Sequence, residues 1–140
     1  MPLGQRLVST ANRGLYRLTK GRVGGKLGKA PIGILTTAGR KSGQERAWPL
    51  MYIDDPAGWL VMASNAGNDR QPSWFLNLEA TPNATFQIGA EVHPVRAEVV
   101  DDAAERADAW PRFTAIYSGY EKYTTKTDRV FPIVRLRRDS

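Results

Sequence analysis

Four side chains that attract anions lie within seven consecutive positions in the first third of the sequence. Arg40, Lys41 and Ser42 form a turn between two glycines, and Arg46 follows on the next apolar run. Guanidinium, ammonium and hydroxyl groups this close together are typical of a site for phosphate or carboxylate oxygens. Basic residues on an exposed hairpin also keep a sheet edge soluble, so the motif alone leaves both interpretations open.

Three tyrosines recur at every third position towards the end of the sequence: Tyr117, Tyr120 and Tyr123. On a helical turn this spacing places the three phenol rings near one side. Aromatic residues at helical spacing usually pack in a core, but each buried hydroxyl also needs a hydrogen-bond partner. The repeat therefore indicates either a core face or a cluster of phenols that orients a bound molecule.

The remaining sequence offers little for hydrolytic or metal chemistry. The 140 residues contain no cysteine, which excludes thiol catalysis, iron–sulfur clusters and disulfides. The single histidine, His93, is predicted within a strand with no carboxylate near it in the sequence, so a serine–histidine–aspartate arrangement is not expected. The acid pairs at 54–55 and 101–102 are interpreted as a turn and a helix cap, and no metal site is predicted.

Nine cations precede the first acidic residue, Glu45, in a chain whose net charge is +6. This asymmetry predicts an anionic partner on one side of the molecule, such as an acidic membrane surface or a phosphorylated cofactor. Nucleic acid is not expected, because no predicted strand alternates aromatic residues with Lys or Arg. The nine cations are Arg6, Arg13, Arg17, Lys20, Arg22, Lys26, Lys29, Arg40 and Lys41.

The elements that must position these groups fall into two parts, residues 1–30 and residues 31–140. In the first part, apolar residues at helical spacing predict a basic amphipathic helix, and a flexible glycine-rich segment follows. Such a helix packs on its own domain, covers a ligand or lies on a membrane, which makes residues 3–29 a candidate peripheral membrane contact. No apolar run is long enough to span a bilayer or to form a secretory signal, so a cytoplasmic location is expected.

Residues 31–140 are predicted to form a single mainly β (α+β) domain. Two apolar runs flank the basic turn and predict a hairpin over 34–53. About six mostly antiparallel strands with peripheral helices are expected to curl into a barrel. Ser64 and Asn65 offer hydrogen-bond donors in a long polar loop, while Trp59 and Trp74 can enclose an aromatic ring. The further strands are predicted at 59–63, 84–88, 93–99 and 130–136. One helix is predicted at 73–78, and a second is predicted from a cap at Asp101-Asp102 to an end near Ser118-Gly119.

Five motifs in register resemble the deazaflavin-dependent nitroreductase family over residues 31–136. The resemblance implies a split β-barrel related to FMN-binding flavin reductases. It also implies coenzyme F-420, an 8-hydroxy-5-deazaflavin hydride carrier whose phosphodiester and oligoglutamate tail would account for the cations before Glu45. The motifs are Leu35-Thr36-Thr37-x-Gly39-Arg40-Lys41-Ser42-Gly43, Arg46-x-x-Pro49-Leu50, Ala63-Ser64-Asn65, Pro72-x-Trp74-x-x-Asn77-Leu78-x-x-x-Pro82, and Tyr117-x-x-Tyr120-x-x-Tyr123 before Thr127-Asp128-Arg129.

The resemblance also implies roles for individual residues. Tyr120 would lie over the deazaflavin ring, and Tyr117, Tyr120, Tyr123 and Met51 would border the substrate. Tyr120 or Tyr117 would orient the acceptor and donate a proton. Arg40, Lys41 and Ser42 would hold the phosphate and tail. Three segments would line the ring and its ribityl arm, namely Arg46, Ala47, Trp48, Pro49, Leu50 and Met51; Met62, Ala63, Ser64 and Asn65; and Ser73, Trp74, Phe75, Leu76 and Asn77.

The implied activity is hydride transfer from reduced coenzyme F-420 to an electron-poor acceptor, which is a quinone, an unsaturated lactone or a nitroaromatic. Family members that reduce nitroimidazoles carry a tyrosine where this chain has Met51 and a lysine where it has Asn65, so activation of nitro-prodrugs is not implied. An FMN-dependent split-barrel reductase, a non-catalytic cofactor carrier and a membrane-surface module remain as alternatives. By analogy with other split barrels, a homodimer is expected.

Overall fold

The computed structural model describes residues 26–27 and 30–139. The amphipathic helix predicted near the N-terminus lies outside the described residues, as does most of the glycine-rich segment. Within that segment Lys26–Leu27 forms a short strand that the sequence did not predict. In chain order the elements are β1 Lys26–Leu27, β2 Ala30–Ala38, β3 Glu45–Met51, β4 Ile53–Asp55, β5 Gly58–Met62, α1 Ser73–Ala80, β6 Asn83–Ile88, β7 Glu91–Val99, α2 Ala103–Ile116, α3 Gly119–Tyr123 and β8 Ile133–Arg138.

The strands form one curled antiparallel sheet. Neighbours follow the order β3-β2-β6-β7-β8-β5-β4, and β1 pairs with the start of β2. Strands β3 and β4 therefore lie at opposite ends of the sheet, yet only Tyr52 separates them in the sequence. Because the chain joins the two ends directly, the sheet must curl round on itself. The predicted mainly β split barrel is confirmed.

The predicted hairpin over 34–53 is the pair β2 and β3. Their register runs from Ile32 opposite Met51 to Ala38 opposite Glu45. Residues directly opposite one another share a face of an antiparallel sheet. Trp48 and Arg46 are two positions apart on β3, so they also share a face.

Two hydrophobic clusters hold the domain together, and β5 contributes to both. Trp59 and Val61 point into the cluster inside the barrel, whereas Leu60 and Met62 belong to the cluster under α2 and α3. Every residue of β5 is buried, as predicted for a strand covered on both faces. Helix α1 closes one side of the first cluster with Trp74, Phe75 and Leu78.

The acid pair at 101–102 and the histidine lie where the sequence placed them, but Asp54 and Asp55 belong to β4, and the turn predicted to include them is confined to Pro56 and Ala57. The Asp55 carboxylate accepts a hydrogen bond from the backbone of Ala57 in a turn, and Asp102 caps α2 by accepting from the Glu105 backbone. His93 lies in β7, and its ring centroid is 4.8 Å from that of Trp59. The expectation that no carboxylate is near it in the sequence was wrong, because His93 Nε2 is 3.5 Å from the Glu91 carboxylate.

Candidate functional site

A cavity of about 530 Å³ opens beside β3, a volume within the roughly 300–1,000 Å³ of small-molecule sites. Its walls come from the second half of β3, the end of β5, the loop that follows β5, the start of α1, and Tyr120 of α3. Both indole and thioether surfaces and several polar groups face it. The lining residues are Trp48, Pro49, Leu50, Met51, Met62, Ser64, Asn65, Ala66, Arg70, Gln71, Pro72, Ser73, Trp74 and Tyr120.

The loop after β5 has an unusual backbone at the cavity wall. Ser64 is right-handed, and Asn65, Ala66 and Gly67 then follow with φ angles of 47°, 54° and 79°. A right-handed residue followed by a left-handed one turns successive backbone N–H groups towards one concave side, where they attract anions or carbonyl oxygens. Within the described part of the chain, the N–H groups of Asn65 and Ala66 donate to no acceptor. They remain available to a bound molecule.

Helix α1 holds the basic hairpin tip in place through one buried amide. Asn77 Oδ1 accepts hydrogen bonds from the backbone N–H of Arg40 at 3.1 Å and from its guanidinium at 2.9 Å. Asn77 Nδ2 donates to the Thr37 hydroxyl at 3.0 Å. Asn77 is only 2% exposed, and both polar atoms of its side-chain amide form hydrogen bonds with residues of the hairpin. The start of α1 lines the cavity, so this contact links the basic tip to the cavity wall.

The basic tip itself lies beyond the cavity. Arg40, Lys41, Ser42 and Arg46 are all exposed, and the Ser42 hydroxyl accepts a hydrogen bond from the Gln44 backbone at 3.1 Å. Arg46 shares a strand face with Trp48, which lines the cavity. The four cation and hydroxyl groups therefore extend outward from the β3 wall.

Several residues expected at the site do not line the cavity. Ala63 and Phe75 are buried in the core cluster inside the barrel. Leu76 packs against the same cluster. Ala47 pairs with Thr36 on the face of β3 opposite to that of Trp48. The side chains outside the cavity lining are Arg40, Lys41, Ser42, Arg46, Ala47, Ala63, Phe75, Leu76, Asn77, Tyr117 and Tyr123.

The tyrosine repeat does bring three phenols together. The ring centroid of Tyr120 is 5.3 Å from that of Tyr117 and 6.0 Å from that of Tyr123. The hydroxyls of Tyr117 and Tyr123 are 2.9 Å apart and share a hydrogen bond. A Cβ on Gly119 would overlap the Tyr117 ring, so this packing requires glycine there. Only Tyr120 of the three faces the cavity.

Burial and contact with neighbouring phenols keep Tyr120 and Tyr123 protonated. Burial raises the pKa of Tyr120 well above its ordinary value, and the neighbouring phenols Tyr123 and Tyr117 raise it further. The hydrogen bond with Tyr117 raises the pKa of Tyr123 to about 12, with burial as the second cause. At neutral pH both groups can donate a hydrogen bond, and neither can act as a base.

Sequence reasoning missed four residues that line the cavity, Ala66, Arg70, Gln71 and Pro72. All lie in the polar loop between the predicted Ser64-Asn65 and Ser73-Trp74 segments, and that position was the available signal. The sequence motifs also gave no role to Arg129. The guanidinium of Arg129 donates to the carbonyls of Ala63, Ser64 and Asn68 and to the Gln71 side chain.

The described residues contain no group of three or more His, Asp or Glu side chains placed to hold a metal ion. Among the helices of residues 30–139, none has the length and apolar character needed to cross a membrane. The cavity offers apolar walls, backbone N–H donors, a phenol, and the polar side chains of its loop, which include the guanidinium of Arg70. This donor set suits a flat heteroaromatic molecule that carries carbonyl oxygens, and the exposed cations beyond β3 suit an anionic extension of it.

Fold and cavity together define a split-barrel protein with a cavity large enough for a small organic molecule. The heme storage protein HutZ of Vibrio cholerae has the same fold, with a TM-score of 0.60 at 14% identity over 93% of this chain and 91% of that one. A sequence profile described as F420H(2)-dependent quinone reductase matches residues 9–138. The chain belongs to this family, which confirms the resemblance to deazaflavin-dependent reductases.

Individual relatives agree with the family assignment. Rv1261c of Mycobacterium tuberculosis (strain ATCC 25618 / H37Rv), named an F420H(2)-dependent quinone reductase, is 33% identical over 127 residues, covering 89% of this chain and 85% of its own length. Rv3178 of the same strain carries the same family name and is 38% identical over 107 residues, covering 76% and 89%.

Two solved structures are also similar. The F420-H2 dependent reductase FDR-A has a TM-score of 0.66 at 36% identity, over 74% of this chain and 91% of that one. A structure described as a domain-swapped dimer has a TM-score of 0.68 at 33% identity, over 87% and 92%.

Proposed function

We propose that this chain is an oxidoreductase that transfers a hydride from reduced coenzyme F-420 to a quinone, with unsaturated lactones and nitroaromatics as further acceptors. One observation carries the proposal: a chain of the F420H(2)-dependent quinone reductase family has a cavity of about 530 Å³ next to an exposed cationic tip. Reduced deazaflavin supplies the hydride when it is bound. All other roles belong to the protein.

The binding roles follow the division between the cavity and the tip. Arg40, Lys41 and Ser42 bind the phosphate and the acidic tail, and Arg46 continues this surface towards Trp48. The cavity walls bind the ring, with Trp48 and Trp74 providing apolar surface and the Asn65 and Ala66 N–H groups providing donors to carbonyl oxygens. Ala63, Phe75, Leu76 and Asn77 support these walls from behind.

Tyr120 acts on the acceptor. Its phenol faces the cavity and its raised pKa keeps the proton in place at neutral pH. The hydroxyl donates a hydrogen bond to the acceptor oxygen on which negative charge develops, and such a donor contributes about 2.7–4 kcal/mol to transition-state stabilisation. The apolar side chains around it exclude water. Tyr117, Tyr123 and Met51 border the entrance for the acceptor.

Calorimetric titration with coenzyme F-420 and with FMN, side by side and across ionic strength, tests the cofactor. We expect coenzyme F-420 to bind more tightly and its affinity to fall as salt rises, because the tip binds an exposed polyanion. Tighter binding of FMN at every salt concentration would support an FMN-dependent reductase instead. Binding of reduced coenzyme F-420 without quinone-dependent oxidation would support a non-catalytic carrier.

We also propose how the protein is located and assembled in the cell. Residues 1–30 form a basic segment that contacts membrane surfaces peripherally through residues 3–29, and residues 31–140 form the cofactor-binding domain of a cytoplasmic protein. Co-sedimentation with anionic liposomes, lost on deletion of residues 3–29, supports the contact. The relative described as a domain-swapped dimer supports a homodimer, for which light scattering should give twice the mass of one chain.

A further inference from the structure

One guanidinium spans the loop that forms the polar wall of the cavity. Arg129 Nη1 donates to the Ala63 carbonyl at 3.0 Å and to Gln71 Oε1 at 2.5 Å. Its Nη2 donates to the Ser64 carbonyl at 2.8 Å, and its Nε donates to the Asn68 carbonyl at 3.0 Å. Four of the five N–H groups of an arginine are thereby used, and all four acceptors lie between residues 63 and 71.

Arg129 differs from Arg112, Arg135 and Arg137 in the groups that it binds, because those three arginines form ion pairs with carboxylates. Its four acceptors are neutral oxygens, and no salt bridge to it occurs among the described residues. Its guanidinium lies 5.0 Å from the centroid of the Phe131 ring, and the Thr127 hydroxyl accepts a hydrogen bond from its backbone N–H at 3.2 Å. Arg129 is thus held at its backbone and at its guanidinium, and the guanidinium binds three backbone carbonyls and one side-chain carbonyl of a single loop.

These carbonyls bracket the left-handed segment. Asn65 and Ala66 have positive φ without being glycine, and such residues cost of order 1–3 kcal/mol each unless surrounding structure holds them. In a trans peptide, the C=O of one residue and the N–H of the next point in opposite directions within one plane. A guanidinium bound to the Ser64 carbonyl therefore turns the Asn65 N–H away from Arg129, which does not itself line the cavity.

We propose that Arg129 is a positioning residue that sets the direction of the backbone N–H donors in the cavity wall. The proposal rests on the proposed function for the identity of the ligand, coenzyme F-420. Arg129 contributes through geometry: its fork of parallel N–H groups matches several carbonyls at once, and the single ammonium of a lysine cannot. A residue that served only as a positive charge near an anionic ligand would be replaceable by lysine.

The test compares Arg129→Lys and Arg129→Gln with the wild type and with Arg112→Gln. Arg112 is the matched control, because its guanidinium also donates to a backbone carbonyl, that of Asp54, outside the cavity. Amide hydrogen exchange of residues 64–71 without any ligand is the first readout. We expect at least a tenfold increase in the exchange rate of this segment in both Arg129 variants and no change in Arg112→Gln. The Lys variant carries the test if the Gln variant does not fold.

The second readout is the dissociation constant of coenzyme F-420, measured by titration. We expect both Arg129 variants to bind at least tenfold more weakly and the control to bind as the wild type does. Wild-type exchange in residues 64–71 of Arg129→Lys, or wild-type affinity in that variant, would overturn the proposal. If the wild type itself does not bind coenzyme F-420, the proposed function fails, while hydrogen exchange still decides whether Arg129 fixes the loop.

Discussion

At the scale of single residues, three similar tyrosines lie in different surroundings. Tyr120 is 6% exposed and lines the cavity, whereas the hydroxyls of Tyr117 and Tyr123 bond to each other. Their spacing was enough to predict a cluster of phenols. The spacing could not indicate which phenol faces the cavity, because residues three apart lie on the same side of a helical turn.

Replacing Tyr120 by Phe removes the hydroxyl and keeps the ring. We expect kcat for quinone reduction to fall by about 10²–10³-fold, with little change in the dissociation constant of the coenzyme. In Tyr117→Phe the loss should be smaller, because that hydroxyl bonds to Tyr123 and does not line the cavity. Single-turnover kinetics at saturating reduced coenzyme provides the measurement, and unchanged turnover in Tyr120→Phe would remove this residue from the mechanism.

The phenol pair also makes stability depend on alkaline pH. Tyr123 loses its proton near its ordinary pKa of 10 when the chain is unfolded, but at about 12 in the folded protein. Between these values the unfolded chain binds fewer protons, so the free energy of unfolding should fall as pH rises from 10 towards 12. Tyr117→Phe removes the main cause of the shift and should flatten this dependence. Urea unfolding at several alkaline pH values checks it, and equal slopes in both proteins would contradict it.

At the scale of elements, the polar loop and the tyrosine helix are packed as one unit. A Cβ on Gly67 would lie 2.9 Å from the Tyr123 carbonyl oxygen, and Gly67 has a φ of +79°. The left-handed loop and α3 therefore approach too closely for any side chain at this position. A shift in one element must displace the other, which couples the donor wall of the cavity to the phenol that faces it.

Gly67→Ala tests this coupling. We expect a loss of stability above the roughly 1–2 kcal/mol that left-handed backbone alone costs alanine, together with weaker binding of coenzyme F-420. Gly89→Ala is the matched control, since Gly89 has a φ of +60° but open space around its Cβ position. It should lose stability without losing affinity. Thermal unfolding and titration of both variants provide the comparison, and equal affinities would argue against the coupling.

How far the sequence predicted each element depends on how local its signals are. Alternation and turn residues located the main strands, and Asp102 located the start of α2. The strands β1 and β4 were missed because two or three residues carry no periodic pattern. The left-handed backbone at Asn65 and Ala66 has no glycine signal, and it depends on Arg129, which lies more than 60 positions away in the sequence. Contacts of this range cannot be inferred from spacing.

At the scale of the whole molecule, an ion-pair network holds the curled sheet together on the side of β4. Arg135 of β8 lies 3.0 Å from the Asp55 carboxylate and 3.2 Å from that of Glu98, and it also contacts Glu105 of α2. The neighbouring carboxylates raise the pKa of Arg135. Three elements are thereby joined to one strand, at the end of the sheet opposite β3. The two ends of the sheet are joined at Tyr52 by the chain itself.

The distribution of function over the molecule follows from the same geometry. Strand β3 carries Arg46 near its outer end, next to the cationic turn of residues 40–42, and cavity residues at its inner end, so one strand connects the basic tip to the cavity. An anionic ligand that extends along this strand would explain the excess of cations before Glu45. The proposed binding of the cofactor, the donor wall and the role of Tyr120 all depend on this arrangement.

A crystal structure of the protein with coenzyme F-420 would show whether the ligand follows this strand. We expect the deazaflavin ring between Trp48, Trp74 and Tyr120, and the phosphate within hydrogen-bond distance of the tip formed by residues 40–46. A phosphate that faces solvent far from this tip, or a ring bound outside the cavity, would contradict the account.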